Sequence, residues 1–101
     1  LTKVVEYDKI EVVNTWNIQV RKATKVMEEQ ADGSKKQLTR SYHRHVLQPF
    51  NSMKGSDGKW THTATDISGE DASVQAIANA AWTDSVKTAY KAFQESQTTI
   101  P

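Results

Sequence analysis

Residues 16–48 read WNIQVRKATKVMEEQADGSKKQLTRSYHRHVLQ, and this stretch decides the fold. Two long runs with strand-like composition flank the dipeptide Asp32-Gly33. Asp-Gly between two such runs is a strong signal for a β-hairpin, because both residues tolerate a positive φ. The glutamates at 28–29 precede the turn and the lysines at 35–36 follow it, so opposite charges would face each other across the hairpin. We therefore predict one long hairpin over both runs.

The pairing of the two strands can be predicted from their apolar positions. A two-residue turn would place Val20 opposite His45, whereas a turn of three or four residues collects the apolar side chains of both strands on one face. That face would hold Ile18, Val20, Val26, Leu38, Tyr42 and Val46. Because burial of an apolar face decides register, we expect a slightly longer turn or a bulge near it. Arg40 and Arg44 then interrupt the apolar face and point away from the face that carries Arg21.

The segments on either side predict two short strand segments and a loop. Residues 9–13 are β-branched and read as a strand, and residues 3–7 read as another strand or a lead-in arm. Residues 51–67 are rich in Gly, Ser, Thr and Asp, which predicts a long surface loop with a short strand as an option at 60–63. Long loops inside compact domains tend to be functional or mobile.

The last third of the chain has the clearest periodicity, with apolar residues at helical spacing. One stripe contains Val74, Ile77, Ala78, Ala81 and Trp82, and a second contains Val86, Ala89, Tyr90 and Phe93. Ser68 or Asp71 would cap the first helix, and Thr83 resembles a second N-cap. We predict two helices that meet near residues 82–83, with one long bent helix as the alternative, and a frayed tail at 97–101.

Strands followed by helices indicate an α+β fold rather than an alternating α/β fold. We predict a single domain over residues 1–101, with a strand-rich part at 1–50, a loop at 51–67 and a helical part at 68–96. Its antiparallel sheet is built on the long hairpin, and the two C-terminal helices pack on one face. The hydrophobic fraction is 37%, or about 41% with the four glycines, which is below the roughly 45–50% of a typical domain. We therefore expect a thin core that another subunit or partner completes.

The charge and composition exclude several classes of protein. The chain has 13 basic and 12 acidic residues and a formal net charge of +1, without the basic excess typical of a dedicated nucleic-acid binder. It contains no cysteine, which excludes disulfides, thiolate metal sites and a cysteine nucleophile. No stretch approaches the roughly 18 apolar residues of a membrane span, so we expect no membrane partner. The first residues also lack the apolar run of a secretory signal.

The most chemistry-like motif is His43-Arg44-His45. Residues two apart in a strand lie on one face, so the two histidines could begin a zinc or nickel site with His62 as a third ligand. A His-x-His pair is common without metal, however, and Ser41 beside His43 lacks the orienting acid and oxyanion hole of a catalytic triad. Walker, dinucleotide-binding and EF-hand motifs are absent. We therefore expect no enzyme activity, no metal and no cofactor.

Two groups of residues are candidates for an interface. Seven basic residues lie on the predicted hairpin: Arg21, Lys22, Lys25, Lys35, Lys36, Arg40 and Arg44. With Tyr42 they could form a basic ribbon that follows nucleic-acid phosphates, although charged hairpins also serve to block edge-to-edge aggregation. Aromatic residues are enriched at protein interfaces, so Trp60 in the predicted loop is our first interface candidate. Trp16 at a strand end is half-buried in this interpretation, and Trp82 belongs to the core.

Four stretches give the chain a resemblance to known proteins: KIEVV at 9–13, IQVRKAT at 18–24, LTRSYHRHV at 38–46 and DISGEDASVQAI at 66–77. Together they resemble small proteins encoded by tailed bacteriophages, many of them from phages of aquatic bacteria, including cyanophages. The resemblance covers residues 9–93 and concerns a general pattern. It implies a component of the virion and carries over no catalytic residue.

We therefore predict a non-enzymatic structural or assembly component of a phage particle, in the head decoration, neck or tail. It would contact other virion proteins or identical subunits in a symmetric assembly, in the virion and, during assembly, in the host cytoplasm. The predicted interface residues are Trp60, Trp16, Tyr42, Arg40 and Arg44, and the metal candidates considered were His43, His45 and His62. The alternative is a nucleic-acid-binding accessory protein that uses the basic hairpin.

Overall fold

The computed structural model describes residues 1–97, so the predicted frayed tail lies outside the described residues from residue 98 on. The first three strands, β1 (Thr2–Val13), β2 (Asn17–Glu29) and β3 (Lys35–Leu47), form an antiparallel sheet in the order β1-β2-β3. A separate antiparallel pair consists of β4 (Phe50–Lys54) and β5 (Trp60–Ala64). Two helices follow, α1 (Ala72–Ala81) and α2 (Asp84–Ser96). The predicted α+β fold with a long hairpin and two C-terminal helices is confirmed.

The turn of the long hairpin is a three-residue loop, as the longer-turn prediction required. The Gln30 backbone N–H donates to Ser34 O at 2.7 Å, and the Gly33 N–H donates to Gln30 O at 3.0 Å. Gly33 adopts φ +87°, a left-handed conformation that glycine takes without a steric penalty. Glu29 pairs with Lys35 next to this turn, so the first residues of the hairpin follow the predicted pairing.

Farther from the turn, the predicted register is wrong. The pairing shifts between Val26 and Met27, because Leu38 is an extra residue in β3 that forms a β-bulge. From the bulge to the far end of the strands, Val20 lies opposite His45, the arrangement that a two-residue turn would have given. Only the end of the sheet next to the helices buries a face, so burial constrains the register less than the prediction assumed.

The observed register gives the sheet two different faces. The helix-side face of β2 and β3 carries Ile18, Val20, Lys22, Thr24, Val26, Thr39, Ser41, His43, His45 and Leu47. The opposite face, which we call the arginine face, carries Gln19, Arg21, Ala23, Lys25, Arg40, Tyr42, Arg44 and Val46. Arg40 and Arg44 therefore share a face with Arg21, which corrects the expectation that they point away from it.

β1 is one continuous strand rather than two segments. It pairs with β2 along its length, with a bulge between Glu6 and Lys9. The two bulged residues have different roles, since Tyr7 packs against the core and Asp8 binds Arg21 on the arginine face. This interruption explains the two separate strand signals in the sequence.

The hydrophobic core lies where the helices cover one end of the sheet. Its buried members are Ile18, Val20, Val74, Ala78 and Trp82. The Trp82 Nε1–H donates to the backbone oxygen of Trp16 at 2.8 Å, so the indole is buried with its polar atom satisfied, and the predicted core position of Trp82 is confirmed. Burial of one large aliphatic side chain stabilises a fold by about 1.5–3 kcal/mol, so these few residues hold the helices on the sheet.

The segment 51–67 is not the long surface loop that we predicted, because most of it forms a second hairpin. Its turn closes where Gly58, at φ +81°, donates its N–H to Gly55 O at 3.0 Å. The Tyr90 hydroxyl of α2 donates to Phe50 O at 3.2 Å, which holds the hairpin against the helix. The short strand considered within this segment is confirmed as β5. Composition misled the prediction because the strand residues here are mostly polar and lack apolar alternation.

The two helices begin at the predicted caps. The Asp71 side chain accepts a hydrogen bond from the Ser73 N–H at 3.1 Å, and the Thr83 hydroxyl accepts one from the Val86 N–H at 3.3 Å. The chain leaves the first helix at Trp82 and enters the second after Thr83. Two separate helices are therefore confirmed, and the alternative of one bent helix is wrong.

The molecule is elongated, with extents of 66 × 26 × 21 Å and a radius of gyration of 19.2 Å. A compact chain of 100 residues would have a radius of gyration of about 13 Å. The elongation comes from the three-stranded sheet, which continues well beyond the helices. We call residues 2–6 and 23–42 the arm, and residues 7–22 and 43–97 the base. All members of the core cluster belong to the base.

Candidate functional site

The arginine face carries three guanidinium groups around one tyrosine ring. The Cζ atoms of Arg21, Arg40 and Arg44 lie 4.6, 5.6 and 5.4 Å from the centroid of the Tyr42 ring, within the range of cation–π attraction. Arg21 pairs with Arg44 across the two strands, and Arg40, Tyr42 and Arg44 follow at two-residue intervals on one face of β3. The Arg40 Nη1–H also donates to Tyr42 Oη at 3.0 Å. Tyr42 remains 41% exposed.

Three carboxylates on this side of the sheet each pair with one cation. The pairs are Lys9–Glu11 at 2.9 Å, Arg21–Asp8 at 2.9 Å and Lys25–Glu6 at 3.0 Å. Arg40 and Arg44 form no such ion pair within residues 1–97. The strand that carries them, β3, also contains Lys35 and Lys36 but no aspartate or glutamate. The uncompensated positive charge of the arginine face is therefore concentrated on β3.

The Arg21–Asp8 contact is bidentate and holds the guanidinium in one plane. Arg21 Nε donates to Asp8 Oδ1 at 3.0 Å, and Nη2 donates to Oδ2 at 2.9 Å. These hydrogen bonds hold the pKa of Asp8 below its usual value, with a smaller contribution from the charge of Arg40. The same bonds raise the pKa of Arg21. Asp8 thus fixes the Arg21 guanidinium in place and neutralises its charge, and the guanidinium packs on the Tyr42 ring.

A groove of about 280 Å³ lies beside the arginine cluster. Arg21 and Arg44 line it together with Lys9 and Gln19, and Glu11 is the one carboxylate among its lining residues. The groove thus offers guanidinium, ammonium and amide donors on an exposed sheet surface. Such a set of donors is suited to an anionic group with further hydrogen-bond acceptors.

The candidate tryptophans lie in a chain of ring contacts in the base. Trp16 meets Tyr90 edge-on with 5.4 Å between ring centroids, and Tyr90 stacks on Phe50 at 6.1 Å. Phe50 in turn contacts His62 at 6.1 Å, and Trp60 stacks on His62 at 5.9 Å. Both tryptophans are half-buried, as we expected for Trp16. Trp60 is the first residue of β5 rather than a loop residue, and its predicted interface role stays a prediction.

The three histidines are divided between the two sheets. His43 and His45 lie on the helix-side face with 5.9 Å between their ring centroids, which confirms that they share a face. His45 Nε2 is 2.8 Å from Glu70 Oε1 and links β3 to the segment before α1. His62 belongs to β5. Within the part of the chain that the structure describes, no group of three or more metal-ligating side chains could hold a metal ion.

His62 joins β4, β5 and α2 through two hydrogen bonds. Its Nδ1 is 2.7 Å from Ser52 Oγ, and its Nε2 is 3.0 Å from Glu95 Oε2. When the imidazole donates its Nε2 proton to the carboxylate, Nδ1 accepts from the serine hydroxyl. This order of side chains resembles part of a catalytic triad, but the ring is packed against Trp60 and Phe50 and its side chain is only 10% exposed. We interpret it as a structural link, which the sequence analysis missed because it read this segment as a loop.

The structure thus brings together three of the five predicted interface residues, Arg40, Tyr42 and Arg44, where the arm meets the base. The sequence did not predict Asp8 at this surface, because Asp8 lies in a bulge that no local pattern marked. It predicted Arg21 as a basic hairpin residue, but on a different face from its present neighbours. Only the register of β3 reveals the cluster, because it decides which side chains share a face.

No helix within residues 1–97 is long and apolar enough to cross a membrane. The chain matched no protein-family model, no curated protein and no solved structure.

Proposed function

We propose that this chain is a non-enzymatic structural or assembly component of a phage particle, in the head decoration, neck or tail. The resemblance of its sequence to small proteins of tailed phages supports the choice of particle. The arm is the protein-binding surface. It contacts identical subunits in a symmetric assembly, and it also contacts other virion proteins. The protein would reside in the virion and, during assembly, in the host cytoplasm.

The observation that carries this proposal is the exposure of the arm. A sheet is stabilised when one of its faces packs against another layer, yet the core cluster contains no arm residue. Residues 35–44 of the outer strand β3 are all exposed, and Val5 of β1 is 47% exposed. Ala23, between Glu6 and Tyr42 on the neighbouring strands, is buried. A second copy of the chain would supply the missing layer for the arm residues other than Ala23.

The helix-side face of the arm is suited to packing against another sheet. It carries Val5, Thr24, Val26, Thr39 and Ser41, which are small and uncharged. Two sheets pack face to face about 10 Å apart when such side chains interdigitate. In a two-fold symmetric pair the same patch serves both subunits, so small uncharged side chains avoid the repulsion that like charges would cause. Lys3 and Lys22 lie at the borders of this patch.

Native mass spectrometry at several protein concentrations tests the proposal. We expect a defined oligomer, and we expect the double variant Val5→Asp/Thr39→Asp to be monomeric, because unpaired carboxylates are costly to bury in an interface. Met53→Asp is the matched control, since Met53 is 64% exposed on β4 in the base. Far-UV circular dichroism checks that each variant folds.

Two results would contradict the proposal. One is a wild-type protein that stays monomeric at every concentration, both alone and with phage structural proteins. The other is an oligomer that Met53→Asp dissociates and the double arm variant does not, because the interface would then lie on the β4–β5 hairpin.

A further inference from the structure

We propose that the arginine face binds single-stranded nucleic acid, with phosphates at Arg40 and Arg44 and an unpaired base stacked on Tyr42. This surface is the opposite face of the sheet from the patch that carries Val5 and Thr39. The inference therefore stands independently of the proposed assembly.

The positive charge of the arginine face is local. The cations Lys9, Arg21 and Lys25 are each paired with a carboxylate, whereas Arg40 and Arg44 form no ion pair within residues 1–97. The net charge of +1 for the whole chain does not oppose binding here, because charges beyond about 8 Å are largely screened at physiological ionic strength. The field next to β3 is positive.

The side chains on this face are suited to phosphate. Guanidinium groups bind phosphate through two parallel N–H donors, which gives more geometric specificity than an ammonium group. The Cα atoms of Arg40 and Arg44 lie about 14 Å apart along one face of the strand, with Tyr42 halfway between, and both Cζ atoms lie within 5.6 Å of the Tyr42 ring centroid. An alternation of guanidinium, aromatic ring and guanidinium along an extended ribbon is suited to a backbone that alternates phosphates with bases.

The Tyr42 side chain is held in place before any ligand binds. Arg40 donates a hydrogen bond to Tyr42 Oη, and Arg21 lies over the ring while Asp8 holds it in place. Tyr42 as a whole residue is nevertheless 41% exposed. A held, exposed aromatic ring beside unpaired arginines is the arrangement with which proteins stack single-stranded bases. A duplex would not present a free base to it.

The groove beside Arg44 extends the same surface toward the base of the molecule. Gln19 and Lys9 line it, and both are exposed. Gln19 offers an amide donor and acceptor to the edge of a neighbouring base, whereas Lys9 is paired with Glu11 and adds no uncompensated charge. A strand of a few nucleotides would therefore run from Arg40 through Tyr42 and Arg44 into this groove.

Fluorescence anisotropy with a labelled oligothymidylate of about 12 nucleotides, a length within the site sizes of single-strand binders, tests the inference on the full chain. We expect binding that weakens as salt rises, and we expect Arg40→Gln/Arg44→Gln to lower the salt slope by about 1.4 for two lost phosphate contacts. Tyr42→Ala should weaken binding about 5- to 150-fold through lost stacking. Tyr42→Phe should retain most of the affinity, because it keeps the ring.

The charge-matched control is Lys3→Gln/Lys22→Gln, which removes two positive charges from the helix-side face. It should leave the salt slope nearly unchanged. The assembly variant Val5→Asp/Thr39→Asp should still bind oligothymidylate, so failure of the proposed function and failure of this inference are distinguishable. Circular dichroism spectra that match the wild type show that each variant is folded.

Several outcomes would overturn the inference. They are no binding at 50 mM salt, equal weakening by the lysine control and the arginine variant, or Tyr42→Ala that binds as well as wild type. Equal affinity for a duplex of the same length would rule out the stacked base. Equal affinity for polyglutamate would show a general polyanion surface rather than a nucleic-acid site.

Discussion

The base and the arm share one three-stranded sheet, yet different interactions stabilise them. In the base, Ile18 and Val20 are buried under α1, and a chain of aromatic contacts joins the second hairpin to α2. In the arm, the strands are held by their backbone pairing and by cross-strand contacts such as Lys25–Glu6. The comparison shows that backbone pairing and cross-strand contacts extend the sheet beyond its hydrophobic core. The continuation leaves two chemically different faces open to partners.

The largest expected difference in the free energy of unfolding is between alanine variants of two aliphatic residues of similar size, one in the base and one in the arm. Ile18→Ala in the base should lower the free energy of unfolding by about 2–5 kcal/mol, because it removes buried methyl groups and leaves a cavity. Leu38→Ala in the arm should change it by about 0.5 kcal/mol or less, because Leu38 is 43% exposed. Urea titration followed by tryptophan fluorescence measures both. Similar losses for the two variants would show that the arm is as well packed as the base.

A smaller effect on the free energy of unfolding is expected at the turn of the arm. Gly33→Ala should cost about 1 kcal/mol, because Gly33 has φ +87° and a Cβ there would meet no other atom within 4 Å. Gly69→Ala is the matched control in the base, since it also has open space but no left-handed φ. The measurement is again the free energy of unfolding in urea. Equal values for both variants would mean that the three-residue turn does not constrain the arm.

The smallest expected effect is the response of each region to acid. Hydrogen bonds from Ser34 lower the pKa of Asp32 in the arm, and those from Ser73 lower the pKa of Asp71 in the base. A lowered folded pKa stabilises the protein above the ordinary value of 3.8, and this contribution is lost as the pH falls through the lower folded value. Stability should therefore decrease as the pH falls from 3.8 toward the lower folded pKa values of these two carboxylates.

Asparagine variants assign the acid response to each region. Asp71→Asn keeps a good helix cap but cannot titrate, so it should flatten the pH dependence of urea unfolding at acid pH. Asp32→Asn should flatten it by a further small amount if the arm unfolds together with the base. No change in slope from either variant would contradict the assignment of these two carboxylates.

Local patterns in the sequence predicted the elements that depend on near neighbours. Thr83 identified the start of α2, the apolar stripe through Val74 and Trp82 identified α1, and Asp32-Gly33 identified the turn. Each of these signals depends only on residues that are close together in the sequence. The second hairpin escaped prediction because its strands bury little and derive their position from Tyr90, which is distant in sequence.

The candidate site was predicted only as a set of residue types. Arg40, Tyr42 and Arg44 were singled out from composition, but their meeting with Arg21 required a pairing that the apolar pattern did not favour. One extra residue at Leu38 reverses which side chains share a face, because side chains alternate along a strand.

The sequence by itself determined the α+β class, the long hairpin, the two capped helices and the absence of cysteine chemistry. Tertiary structure alone decided the register, the bulges at Asp8 and Leu38, and the division into base and arm. The physical reason is one of range. Turns and caps are governed by the backbone preferences of adjacent residues, whereas register depends on how much of each face is buried by elements far along the chain.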